Sequence, residues 1–152
     1  MMGHRRKARE VALQVLYQVD VSKVDVKEGI QLFWENFEAP DNVRDFSIHL
    51  IEGTWNRIGE IDQVIRECSE NWSLERMAKV DKSILRMAIF ELLYCEDIPP
   101  KVTLNEAIDL GKEYGSENSG AFVNGILDAL YAKMRNETGN KCILGIDRQA
   151  DK

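Results

Sequence analysis

The segment 79–96 constrains this chain most. Val80, Ile84, Leu85, Met87, Ala88, Ile89, Phe90, Leu92, Leu93, Tyr94 and Cys95 occupy nearly every angle around a helical axis. A helix that is apolar all round is stable in water only when other elements enclose it. The pattern therefore predicts a central helix over 79–96, enclosed by the rest of the chain. The rest is suited to that task. Ala8, Val11, Ala12, Val15, Leu16 and Val19 recur at i, i+3, i+4, i+7, i+8 and i+11, which predicts an amphipathic helix over about 5–20. A second helix over about 26–37 carries Ile30, Phe33, Trp34 and Phe37.

Punctuation divides the remainder. Pro40 ends one helix and Asp41 is placed to cap the next. A third helical region covers about 42–69 and is expected to break between Gly53 and Gly59. Trp72, Ser73 and Leu74 form a short connector, with Ser73 a candidate cap. Pro99 and Pro100 stop the central helix, and Thr103-Leu104-Asn105-Glu106 matches a capping box that would open a new one. That helix should close near Tyr114, with Gly115 at the residue after it. The last helix spans about 117–135, with Phe122, Val123, Ile126, Leu127, Leu130 and Met134 on its apolar side. No period-2 run appears, and Asn124-Gly125 lies inside a helical pattern. The expectation is an all-α bundle of about seven helices, built as two packed three-helix-bundle-like subdomains. Residues 1–136 form one domain with a subdomain break near 70–79, and 137–152 form a flexible tail.

Composition narrows the function. A chain of 152 residues, 44% hydrophobic and 30% charged, folds as one modest domain. No run approaches about 18 apolar residues, so no membrane helix is expected. The N-terminus lacks the apolar core of a secretory signal, which points to the cytoplasm. Cys68, Cys95 and Cys142 are widely spaced and odd in number, so neither a disulfide framework nor a zinc site is expected. His4 and His49 lie in no metal-binding pattern. Nucleophile elbows and glycine-rich phosphate loops are absent, and Gly111-Lys112 lacks the upstream glycine of such a loop. These absences favour a binding module over an enzyme, with no cofactor and no metal.

The charge distribution suggests what is bound. The net charge is −6, yet Arg5, Arg6, Lys7 and Arg9 crowd the first nine residues with no acid among them. With those four set aside, 16 basic residues face 26 acidic ones. Cations in a first helical turn oppose the helix dipole, at a cost of about 0.3–1 kcal/mol each when exposed. Either a polyanion outside the fold compensates them, or the terminus is frayed and solvated. On the helical wheel Leu13 and Tyr17 fall away from the core stripe, on the face of Arg6 with Arg9 at its edge. They form a contact surface, or a neighbouring subdomain covers them. Phe122 follows the polar run Ser116-Glu117-Asn118-Ser119-Gly120. It is a core residue, or it stacks on an unpaired RNA base.

Four blocks carry a family resemblance. Arg5-Arg6-Lys7-Ala8-Arg9-Glu10 with Ala12-Leu13-Gln14-Val15-Leu16-Tyr17 resembles the opening of bacterial NusB antitermination factors. The run 80–92, then Pro100-Lys101-Val102 with Asn105-Glu106-Ala107-Ile108-Asp109-Leu110, then Phe122-Val123-Asn124-Gly125-Ile126-Leu127-Asp128, follow in the family's order. The resemblance implies a non-enzymatic, all-α protein. It would bind boxA-type single-stranded RNA of ribosomal RNA leaders, together with a NusE-like ribosomal protein, and join RNA polymerase with other Nus factors. Carried over, Arg5, Arg6, Lys7 and Arg9 would contact RNA, with Phe122 stacking beside it and Asn118 and Ser119 near. Leu13, Tyr17 and Asp81 would face the NusE-like partner. Asn105 and Glu106 would serve capping and inter-helix structure, and Asn124 and Gly125 close helix packing. Asn118 stands where an acid is common in the family, and Ala121 where Lys is common.

Two other readings remain. A similar helical domain precedes certain ribosomal RNA cytosine methyltransferases, but only about 16 residues follow the last helix here and no S-adenosylmethionine loop is present. A protein-only scaffold with an incidental basic terminus is the other. The RNA reading predicts that Arg6→Ala and Arg9→Ala weaken RNA binding in a titration while the helical circular dichroism stays intact.

Overall fold

The computed structural model describes residues 2–69, 73–136, 142–143 and 146–147. Seven α-helices are present among them: α1 Met2–Ser22, α2 Val26–Asn36, α3 Asp41–Asn56, α4 Ile58–Cys68, α5 Lys79–Tyr94, α6 Pro100–Tyr114 and α7 Ser119–Asn136. A 3-10 turn, Leu74–Arg76, leads into α5, and a two-residue antiparallel pair joins β1 Cys142–Ile143 to β2 Ile146–Asp147. Apart from that pair, the tail expected to be flexible lies outside the described residues, as does Trp72 of the connector.

Every residue of α5 from Asp81 to Leu93 is buried, as an all-round apolar helix requires. It packs against α1, α3, α4, α6 and α7. One half of the bundle is α1, α2 and α3; the other is α5, α6 and α7, with α4 packed on α5 and α7. The change of packing partners therefore falls at Arg57, between α3 and α4, earlier in the chain than 70–79. A single apolar cluster, running from Val11 to Leu130, joins the two halves.

Several local expectations are corrected. The capping box does not form. Helix α6 begins at Pro100, three residues before Thr103, because a proline fits the first helical position without losing a hydrogen bond. Thr103 is buried and donates its hydroxyl to Glu91 Oε1 at 2.9 Å. Asp41 is the first residue of α3 rather than its cap; Pro40 holds that position. Ser73 precedes the 3-10 turn without a side-chain capping bond. The break between α3 and α4 does fall inside the expected Gly53–Gly59 stretch, at Arg57, and Gly53 itself stays helical. A Cβ on Gly53 would collide with the Phe90 ring, so this glycine lets α3 approach α5. Gly125 faces open space and serves no close packing, and Asn124 is exposed beside it. The close approach is at Gly111 and Gly120, where a Cβ on Gly111 would meet Gly120 N at 3.2 Å. The α6–α7 crossing thus calls for a glycine at Gly111, while a Cβ on Gly120 would meet the Lys112 side chain at 2.9 Å.

The sequence pattern did not anticipate that α5 buries charge. Lys82 Nζ lies 3.2 Å from Asp20, and Arg86 Nη1 lies 3.6 Å from it. Arg86 also donates Nε and Nη2 to Asp62 of α4, both at 2.8 Å. Burial alone would raise the Asp20 carboxyl. The hydrogen bond and charge of Lys82, with Arg86 and Lys79, outweigh that and hold it below its ordinary 3.8. Its folded-state pKa is therefore depressed. The stabilisation is complete above the unfolded value and is lost as pH falls through the folded one. Asp20→Asn, which leaves buried cations poorly paired, is expected to cost about 3 kcal/mol at pH 7. Urea melts at pH 7 and near pH 2 check this: the gap between wild type and variant should close at the acid end.

Candidate nucleic-acid interface

Helix α1 carries its basic residues within its first eight positions, and carboxylates from the second half of the bundle meet them. Arg9 is 3% exposed. Its Nε and Nη2 donate to the two Glu91 oxygens at 2.7 and 3.0 Å, and Nη1 lies 3.6 Å from Glu106. Arg6 forks onto Glu106 through Nε at 2.5 Å and Nη2 at 2.9 Å, and Nη2 also reaches Asp109 at 3.0 Å. The Glu106 hydrogen bond and charge raise the Arg6 pKa further above its ordinary value. Arg5 lies over the Phe46 ring at 4.5 Å and reaches Asp97 at 3.5 Å. Lys7 is exposed and forms no ion pair among the described residues.

These positions separate the expected contacts. The side chains of Arg5 and Arg6 are 40% and 34% exposed, with no hydrogen bond from Nη1 of either among the described residues. Together with Lys7 they can meet an anion. Arg9, the fourth expected RNA contact, is instead turned inward and sealed. Both oxygens of a carboxylate 1% exposed hold its guanidinium inside the bundle. Removing a buried partner is costly because the other charge is left behind.

Asn118, Ser119 and Phe122 gather at the start of α7. Ser119 is 1% exposed, and its hydroxyl accepts the Ser116 N–H at 2.9 Å. It shapes the turn and offers RNA no free face. Asn118 is exposed, and Phe122 is half-buried against the core. The structure does not bring this group into contact with the arginines. Helix α6 connects the two: Glu106 and Asp109 hold Arg6, and Lys112 lies along Gly120. Asp109 and Lys112 are one helical turn apart, roughly 5 Å along the axis. Lys112 is exposed and was not anticipated as a candidate; a Lys one turn beyond Asp109 on α6 was the available signal.

On the adjacent face, α1 and α2 enclose a groove of about 420 Å³, lined by Leu13, Tyr17, Phe33, Trp34, Phe37 and Tyr114 among others. Leu13 is 5% exposed and lines the groove as a buried floor residue. Tyr17 is 37% and Phe37 52% exposed at its edge. Phe33 stacks on Phe37 at 4.5 Å and meets Trp34 edge-on. Trp34 Nε1 is buried without an acceptor. The Tyr114 hydroxyl donates to Glu10 at 3.0 Å, and burial with Glu10 pushes it up to about 12. Asp81 does not line the groove; it is 7% exposed, and its neighbour Val80 is the α5 contribution. The aromatics of α2 were visible in sequence only as helix-stripe residues, because nothing local says which of them the core leaves uncovered.

The described residues contain no group of three or more His, Cys, Asp or Glu that could hold a metal. Cys95 lies 3.7 Å from His49, but burial, with Glu91 and Asp97, pushes its thiol up to about 12. It is a poor nucleophile. None of the described helices is long and apolar enough to cross a membrane. The geometry predicts that Arg9→Ala costs about 3–5 kcal/mol of stability, whereas Arg6→Ala costs markedly less, read from urea unfolding midpoints.

Comparison with known proteins completes the picture. The NusB family model matches residues 6–132. The transcription antitermination protein NusB of Syntrophus aciditrophicus is 63% identical over 136 residues, covering 90% of this chain and 84% of the relative. That of Desulfatibacillum aliphaticivorans is 45% identical, covering 90% and 95%. Among solved structures, NusB of T. maritima superposes with a TM-score of 0.75 at 38% identity, covering 82% of this chain and 87% of that one. A chain from a crystal structure of antitermination factors NusB and NusE with double-stranded RNA gives 0.77 at 30% identity, covering 87% and 98%. A helical bundle of this architecture, with its basic α1 laid against α5 and α6, and a match over most of the chain lead to one conclusion: this chain belongs to the NusB family.

Proposed function

We propose that this protein is a cytoplasmic transcription antitermination factor that binds boxA-type single-stranded RNA together with a NusE-like ribosomal protein. In this reading the pair joins RNA polymerase with other Nus factors and supports processive elongation. NusB proteins are non-enzymatic transcription factors. The observation that carries the RNA reading is the pair of half-exposed guanidiniums, Arg5 and Arg6, held on a rigid helix beside Lys7. A guanidinium fixed in place loses little entropy when it grips a phosphate, and its planar fork suits that ligand. Arg9 acts through position: it anchors the turn that presents the other two. Asn118 and Phe122, with Lys112 beside them, extend the track along α6, and the Phe122 ring edge offers a stacking platform for a base.

The groove supports the partner reading. Tyr17 and Phe37 expose large apolar faces over a Leu13 floor, and interface hot spots favour such aromatics. The orphaned Trp34 N–H would be satisfied by one acceptor from a docked segment. Asp81, being buried, would contribute only through the first turn of α5. A protein-only scaffold is the second reading, favoured by one observation: three of the four N-terminal cations already have carboxylate partners.

A fluorescent boxA-like RNA and a scrambled strand, titrated with and without a NusE-type protein at two salt concentrations, separate these readings. Preference for the boxA-like strand, tightened by the partner and weakened by salt, is expected. Arg6→Ala should lower RNA affinity about tenfold, and Tyr17→Ala should lower partner affinity about tenfold with RNA affinity of the free protein unchanged. Equal weak binding of both strands under every condition would favour the scaffold.

A further inference from the structure

The carboxylates that meet the basic segment are of two kinds. Glu91 and Glu106 have side chains 1% and 8% exposed, and they fix Arg9 and Arg6 to α5 and α6. Asp97 and Asp109 are 71% and 50% exposed. Neither is needed to position its arginine. Arg5 is held independently over Phe46, and Arg6 already has its two-pronged bond to Glu106. Exposed single pairs of this kind add little to stability. Their consequence is electrostatic: each places a negative charge against Nη2 of a partly exposed guanidinium.

We propose that Asp97 and Asp109 are built-in competitors of the nucleic acid. They sit against Nη2 of Arg5 and Arg6 until a phosphate displaces them, and so set how strongly the segment attracts any RNA. The proposal rests on the reading that this segment binds RNA. Counted with Glu91 and Glu106, four carboxylates face the four cations of the segment, so it offers a strand no net positive charge. Fewer cations then leave the RNA on binding, and the sequence-independent component of affinity is held down. The buried glutamates cannot compete in this way, because releasing them would dismantle the α1–α5–α6 junction. The two exposed aspartates can swing into solvent at little cost.

The test compares Asp97→Asn/Asp109→Asn with wild type, with Arg6→Ala, and with a control, Glu28→Gln/Glu75→Gln. The control removes two exposed carboxylates that hold no arginine, so both double variants change net charge equally. Each protein is titrated with the boxA-like and the scrambled single strand across a salt series. The aspartate variant should bind both strands about three- to tenfold more tightly than wild type at low salt. Its salt slope should steepen by up to about 0.7 for each aspartate charge removed. The control should move affinity less than twofold. An aspartate variant that matches the control, or that binds more weakly than wild type, overturns the competition. If Arg6→Ala leaves affinity unchanged, the RNA reading itself falls and the competition falls with it. Unfolding midpoints within a few degrees of wild type establish that the aspartate effect is not structural.

Discussion

The buried carboxylate of Glu91 is the interaction on which the rest of this structure depends. It lies on a helix enclosed on all sides, and a bare charge there is untenable. Arg9 from α1 and Thr103 from α6 satisfy it, so three helices are tied at one point. Fixing Arg9 also fixes the rotation of α1. Arg5, four residues earlier, then falls over Phe46, and Arg6, three residues earlier, falls against α6. The half-exposed cations are where they are because a fully buried one is where it is.

A second tie sets direction. Asp20, at the far end of α1, meets Lys82 and Arg86 near the beginning of α5. Reading α1 forward gives plus then minus; reading α5 forward gives plus, plus, minus. Opposite charges match only when the two helices run antiparallel, with both ties made at once. They are 11 residues apart on α1, roughly 16 Å. Apolar packing alone tolerates slippage and rotation, whereas two buried ion pairs of opposite polarity do not. Between these ties, the outer face of α1 remains available, with Leu13 buried and Tyr17 left at the rim of an aromatic groove. The basic track and the groove thus share one helix, with Lys7 lining the groove's end.

The helices were legible in the sequence because each apolar stripe repeats with the helical period, and proline or glycine punctuates it. Lys79 as the start of α5, Val26 as the start of α2 and Gly115 after α6 all follow from such signals. Residues of identical chemistry were not distinguishable. Arg6 and Arg9 read alike in a basic run, yet one is a third exposed and the other is sealed. Thr103 and Glu106 have the spacing of a cap, yet they answer Glu91 and Arg6 on other helices. Gly125 was expected at a close helix contact, yet it faces open space, and the close approach is at Gly111 and Gly120.

By itself, the sequence determined an all-helical bundle around α5, a clustered positive charge at its start, and membership of a recognisable family. Periodicity and composition are properties of neighbours along the chain, and they survive without knowing the fold. The tertiary structure alone decided which cations face solvent, which carboxylates sit against them, and which aromatics stay uncovered. Those outcomes depend on partners some 80 to 100 residues away, such as Glu91 for Arg9 and Glu106 for Arg6. Burial and pairing are long-range quantities, set by desolvation once helices meet.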